Sequence, residues 1–159
     1  MPRKVTKKLQ RKLNPDRKYQ SVLVQRLINK SMLDGKKYVA EKAVYSALEL
    51  AAKKLKSEEP LEVFEQAFRN VLPSFEVKSR RVGGANYQIP FPIQGHRQQH
   101  YAFMWLVQSA RGRKGIPYNE RLAAEIVDAY NEAGAAFKKK EDTHKMAEAN
   151  RAFAHFART

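Results

Sequence analysis

Cysteine is missing from this chain of 159 residues. Its absence excludes disulfides, thiolate metal sites and cysteine nucleophiles together, and suits a reducing interior. Acid is scarce as well: sixteen Asp and Glu face thirty-one Lys and Arg, for a net charge of +15. Long hydrophobic runs are lacking. The longest is Tyr101 to Val107, far short of the roughly 20 residues that cross a bilayer. The first residues are basic and lack the apolar core of a signal peptide. A soluble chain that is not secreted by that route is the expectation.

What is present is cationic charge, and it is unevenly placed. Residues 1–18 hold eight basic residues against Asp16, and residues 73–115 hold seven against Glu76. Between them, residues 19–72 carry nine against seven, and residues 116–159 carry seven of each sign. Two segments thus hold thirteen of the fifteen excess charges. A net charge of this size opposes compaction and calls for a polyanion, with nucleic acid ahead of an anionic membrane.

The first segment strings Arg3, Lys4, Lys7, Lys8, Arg11, Lys12, Arg17 and Lys18 among few apolar residues. That leaves too little burial to offset the entropy of ordering. Residues 1–18 therefore read as a disordered basic extension, and residues 19–159 as one mainly helical domain of about six helices.

Periodicity places the helices. Ser21 is positioned to cap a helix reaching Met32, which Asp34-Gly35 breaks. Ala40, Val44, Ala47, Leu48, Ala51 and Leu55 recur at three and four within Lys37–Lys56. Pro60 opens a third helix with a stripe from Leu61 to Leu72, and Pro73 stops it. A fourth runs from Arg97 to about Arg111 around Phe103, Met104, Trp105 and Leu106. A fifth starts near Pro117 or Asn119 and stops at Gly134. The last begins near Asp142-Thr143 and carries Met146, Ala149, Phe153 and Phe156.

Between the third and fourth helices the period changes to two. Phe75–Val82 and Ala85–Pro90 alternate on either side of Gly83-Gly84, which predicts a protruding β-hairpin over about 74–90. Lys78 and Arg80 share one strand face and Arg81 takes the other. Asn86, Tyr87 and Gln88 sit nearby, with groups that hydrogen-bond base edges or stack. Cations and an aromatic on a ribbon suit phosphates and unstacked bases of folded RNA.

Catalytic chemistry finds no support. His96 and His100 share a helix face, but Arg-Gln-Gln between them lacks the glutamate of a zinc-protease motif, so no metal is assigned. Gly83-Gly84 has no phosphate-loop spacing, and no cofactor is implied. An RNA-processing enzyme would need a general base or metal carboxylates. A DNA-binding module would need a basic recognition helix, whereas the cations here cluster on tail, hairpin and loops.

Four stretches resemble a known family, protein number seven of the small ribosomal subunit in its bacterial and organellar form. They are Met32–Lys37, Val44-Tyr45-Ser46-Ala47, the hairpin run Glu76–Gln88, and Lys138–His155. The resemblance runs through the whole chain in order. It implies a helical domain with a hairpin arm that binds the 3′ major domain of small-subunit ribosomal RNA and nucleates assembly of the head. It also implies a place near the exit-site transfer RNA and the messenger channel, with Arg81, Gly83, Gly84 and Tyr87 nearest to them. Protein number eleven is implied as a neighbour of the C-terminal helix, through Arg151, Phe153, His155 and Phe156. Some members also repress their own messenger. Two places depart from the family pattern: Gln94–His100 carries Arg97 alone where a denser arginine cluster is usual, and the chain ends His155-Phe156-Ala157-Arg158-Thr159 rather than in Tyr-Arg-Trp.

The residues expected on RNA phosphates are therefore those of the tail, Lys36 and Lys37, Lys78, Arg80 and Arg81, Arg97, Arg111, Arg113 and Lys114, and Lys138, Lys139 and Lys140. The expected setting is a ribosome in a bacterial cytoplasm, with an organelle as the alternative.

Overall fold

The three-and-four spacing of Lys37–Lys56 folds as read. In a computed structural model, which describes residues 13–157, this stretch is α2 (Lys37–Leu55) and buries Ala40, Val44, Ala47, Leu48, Ala51 and Ala52. Before it comes α1 (Val22–Ser31); after it come α3 (Pro60–Val71), strands β1 (Phe75–Val82) and β2 (Ala85–Pro92), α4 (His96–Gly112), α5 (Tyr118–Tyr130) and α6 (Gly134–Ala149). A 3-10 segment, Arg151–Ala157, closes the described chain. The tail cations Arg3 to Lys12 lie outside the described residues.

One apolar core joins the helices. Leu27, Ile28, Leu48, Phe64, Leu106, Leu122 and Ile126 have no exposed surface, and each such side chain contributes roughly 1.5–3 kcal/mol on burial. Phe68 bridges Phe64 and Phe103, at ring separations of 5.9 and 4.5 Å. Helices α2 and α5 are the main packing pair of the body.

Three sequence expectations are corrected. Ser21 occupies the N-cap position of α1, yet its hydroxyl makes no capping bond; its backbone N–H instead donates to Asp16 Oδ1 at 2.8 Å. The last α-helix starts at Gly134, eight residues before Asp142. Ala136 is buried there and its N–H donates to Glu125 Oε1 at 2.7 Å, so a carboxylate from α5 meets the new helix's first turn. Phe153 and Phe156 consequently lie beyond α6, on the 3-10 segment.

The residues counted with the tail on charge alone do not all behave as tail. Asp16 is 1% exposed. Its carboxylate accepts the N–H groups of Lys18, Tyr19 and Ser21 at 3.0, 2.8 and 2.8 Å and the Tyr45 hydroxyl at 3.1 Å. Burial, then the Asp16 hydrogen bond and charge, push the Tyr45 phenol up to about 12. The root of the basic extension is thereby fixed to α2.

Candidate nucleic-acid interface

Two loops that sequence places 75 residues apart meet at one end of the body. The α1–α2 loop brings Leu33, Asp34 and Lys36; the end of α4 and start of α5 bring Arg111, Tyr118 and Arg121. Together they line a groove of about 410 Å³. Side-chain hydrogen bonds hold this end. Arg111 Nη2 donates to the Ser31 carbonyl at 3.3 Å, the Tyr118 hydroxyl to Ser31 Oγ at 2.9 Å, and Arg121 Nη1 to the Arg113 carbonyl at 2.8 Å. Lys36 and Lys37 are exposed at the start of α2, whose first turn has no acid. Cations there oppose the helix dipole by roughly 0.3–1 kcal/mol each, so their placement serves something other than α2.

The hairpin pairs in the register Lys78–Ile89, Ser79–Gln88, Arg80–Tyr87 and Arg81–Asn86. One face therefore carries Glu76, Lys78 and Arg80 with Ile89 and Tyr87, and the other carries Ser79 and Arg81 with Asn86 and Gln88. The first face is occupied from within the chain. Tyr87 lies 5.1 and 5.5 Å from the rings of Phe153 and Phe156, and Arg80 Nη1 donates to the Phe156 carbonyl at 3.1 Å. The second face is exposed at Ser79, Arg81, Asn86 and Gln88. Gly83 and Gly84 turn at φ of +57° and +93°, a region that glycine enters without steric cost.

At the hairpin root, Glu76 is 3% exposed and is the hub of a small network. Lys78 Nζ, Arg97 Nε and the Tyr101 hydroxyl reach its carboxylate at 2.8, 2.5 and 2.8 Å. Burial alone would raise its pKa, but these three donors outweigh it and hold the group below the usual carboxylate range. On the opposite side, His144 Nε2 accepts the Ser74 N–H at 3.0 Å; burial, then Lys140, lower its pKa.

Several expected RNA cations therefore hold internal partners as well. Arg113 forks onto Glu125 at 2.9 and 2.7 Å and also meets Asp128. Lys18 pairs with Glu49, and Lys140 Nζ donates to the Asn70 carbonyl at 2.6 Å. Lys139 reaches Gln108 at 3.4 Å. Arg17, Lys114 and Lys138 are exposed.

A further basic patch escaped the sequence reading. Arg26 and Lys30 of α1 join His96, Gln99 and His100 of α4 around a hollow of about 320 Å³, with Arg26 bonded to Gln99. Arg26 and Lys30 sit four apart on one helix face, a signal hidden by the balanced charge of residues 19–72. Among the described residues, no group of three or more His, Asp or Glu is placed to hold a metal, and no helix is long and apolar enough to cross a membrane.

A family model, ribosomal protein S7p/S5e, matches residues 2–151. The chain belongs to the ribosomal protein S7p/S5e family. Relatives agree across nearly the full length. Small ribosomal subunit protein uS7 of Chloroflexus aggregans is 58% identical over 148 residues, covering 93% of this chain and 94% of the relative. That of Roseiflexus sp. strain RS-1 is 55% identical over 159 residues, 99% of each chain. That of Thermotoga neapolitana is 56% identical over 146 residues, 92% and 94%.

S7p/S5e proteins are structural, so the catalytic alternative falls away. The residues that the resemblance assigned to transfer and messenger RNA divide between the two hairpin faces. Arg81, Gly83 and Gly84 are exposed at the outer end, whereas Tyr87 is half-buried against the 3-10 segment. Of the residues assigned to a protein neighbour, Arg151 and His155 are exposed, and Phe153 and Phe156 are partly covered by Tyr87.

Proposed function

We propose that this structural protein of the small ribosomal subunit binds the 3′ major domain of its ribosomal RNA and nucleates folding of the head, in the bacterial cytoplasm. It lies beside the exit-site transfer RNA and the messenger path, with protein number eleven at its C-terminal segment. The observation that carries this reading is the convergence of Lys36 and Arg111 on one end of the body. Neither meets a carboxylate within ion-pair distance among the described residues, and the outward hairpin face adds Arg81.

The mechanism is assembly. Cations replace condensed counterions where RNA helices converge, which lowers phosphate repulsion and releases ions to solvent. The helical core offers a preformed face, and the tail lies along a groove once bound. Arg113, Arg97 and Lys78 contribute chiefly by holding the loops and hairpin root that present the freer cations. The absence of a basic recognition helix argues against a DNA reader.

The test is binding to a transcript of the 3′ major domain across a salt series, beside an unrelated folded RNA and duplex DNA of equal length. Much tighter binding to the transcript is expected, with log affinity falling by about 0.7–0.9 per neutralised phosphate for each decade of salt. Equal binding to all three would overturn the reading.

A further inference from the structure

We propose that the groove between the α1–α2 loop and the start of α5 receives one unpaired nucleobase of the ribosomal RNA. Its phosphates would lie on Lys36, Arg111 and Arg121, and its amino edge toward Asp34. This inference rests on the RNA-binding reading above and deepens it.

The groove joins two properties that single surface patches seldom combine. Its lining is apolar at Leu33, Val39 and Tyr118, and Leu33 and Val39 are 61% and 63% exposed. Two such side chains in one groove beside an aromatic ring, rimmed by polar groups, form the kind of apolar patch that marks a binding surface. Its rim is cationic: Lys36, Arg111 and Arg121 line it, and none of them meets a carboxylate within ion-pair distance among the described residues. Arg121 is held in place there, its Nη1 donating to the Arg111 and Arg113 carbonyls at 3.4 and 2.8 Å.

A nucleotide matches both properties within one residue. Its base supplies a planar apolar face, its phosphates supply anions a few ångströms away, and unpaired bases are what proteins usually read in RNA. A partner helix fits less well, since it needs a line of anchors over two turns, while about 410 Å³ is the size of a pocket for a small ligand. Asp34 is the one acid in the lining. A carboxylate beside bound phosphates is unfavourable unless it accepts a hydrogen bond, and the exocyclic amines of adenine, cytosine and guanine donate one. Uracil has none.

The test uses the full chain and the 3′ major domain transcript. Leu33→Ser and Val39→Ser remove apolar surface at exposed positions without altering charge. Each should weaken binding about tenfold while leaving the salt slope unchanged, because no phosphate contact is lost. Dimethyl sulfate probing should find one unpaired adenine or cytosine protected by the wild-type chain and reactive again with either variant. If that footprint falls instead on a guanine, its Watson–Crick edge is read with kethoxal. Replacing the protected nucleotide with uracil should reproduce the loss. Unchanged affinity and an unchanged footprint, with the wild-type chain still preferring the transcript, would overturn this inference alone and leave the groove to a protein partner. A wild-type chain without that preference would overturn the underlying reading, and this inference with it.

Discussion

Arg113 gives both Nε and Nη2 to a single oxygen of Glu125, a carboxylate with no exposed surface. The other oxygen accepts the N–H of Ala136, so one buried acid ties the α4–α5 loop to α5 and to the first turn of α6. Burial disfavours the Arg113 charge, but the bonds it donates to Asp128 and Glu125 outweigh that and raise its pKa. An arginine expected on RNA is thus also a strut of the fold.

Arg113→Ala should therefore act on stability before affinity. Removing one partner of a buried pair leaves the other uncompensated, at a cost of about 3 kcal/mol, the lower part of the usual range because Arg113 is one-third exposed. Urea unfolding would show the loss, and RNA affinity of the folded fraction should change far less than for Lys36→Ala.

Gly134 abuts the same network. Its φ is +85°, and an added Cβ would stand 2.8 Å from Asp128 Cβ. Gly134→Ala should cost about 1–3 kcal/mol through left-handed strain and this clash, read as a fall in the urea midpoint with an unchanged slope.

Neighbouring arginines on the hairpin should give different phenotypes. Arg81→Ala should lower RNA affinity and reduce the salt slope by about one phosphate, with the C-terminal segment undisturbed. Arg80→Ala removes the bond to the Phe156 carbonyl. Amide exchange in Arg151–Ala157 should therefore quicken in the free protein. Identical exchange in both variants would show that Arg80 does not tether the segment.

Acid should loosen the hairpin root. His144 has a lowered pKa in the folded chain, so the folded state binds fewer protons than the unfolded one, and stability increases with pH across this range. Its contribution is complete above the unfolded value near 6.5 and is lost as pH falls through the lower folded value. Protonation also ends acceptance of the Ser74 N–H. Glu76 has the same sign at lower pH: its contribution holds above the ordinary glutamate range and disappears below its depressed value. Urea midpoints at pH 7.5, 6.5 and 5.5 should decline, and His144→Gln should flatten that decline.

Asp16→Ala should free the root of the tail. Four donors lose their acceptor, which costs about 3 kcal/mol, and the Tyr45 phenol should titrate below about 12. Ultraviolet titration checks the second effect independently of unfolding.

Much of the architecture was legible because it follows from repetition. The three-and-four spacing of α2 and α3 and the alternation around Gly83-Gly84 each specify one element without reference to the rest. The start of α6 was not legible: Ala136 is helical partly because Glu125 reaches it from another element, and Lys138–Asp142 by themselves read as solvated polar chain. The double duties of Arg113, Arg97 and Lys78 were missed for the same reason, since charge position along a sequence does not reveal which acid lies opposite. Two signals were nevertheless available. Glu76 is the sole acid in residues 73–115, and Glu125 interrupts the apolar stripe of Leu122, Ala123 and Ile126. An acid in either setting has a cationic partner as the price of its burial.

The groove that gathers Lys36, Arg111 and Arg121 lies where α2 and α5 both begin, and the furrow holding Ser57, Glu62, Glu65 and Glu132 lies where both finish. The two helices therefore point the same way, each presenting the free N–H groups of its first turn to the groove, while α1 and α4 finish there and present carbonyls. The 13 residues of α5 span about 20 Å, so groove and furrow stand about that far apart. Helix dipoles thus oppose one another across the body, and side chains make its two ends unlike: Lys36, Arg111 and Arg121 gather at one, and Glu62, Glu65 and Glu132 at the other beside Arg69. The polarity of the body is a property of these side chains and not of its backbone.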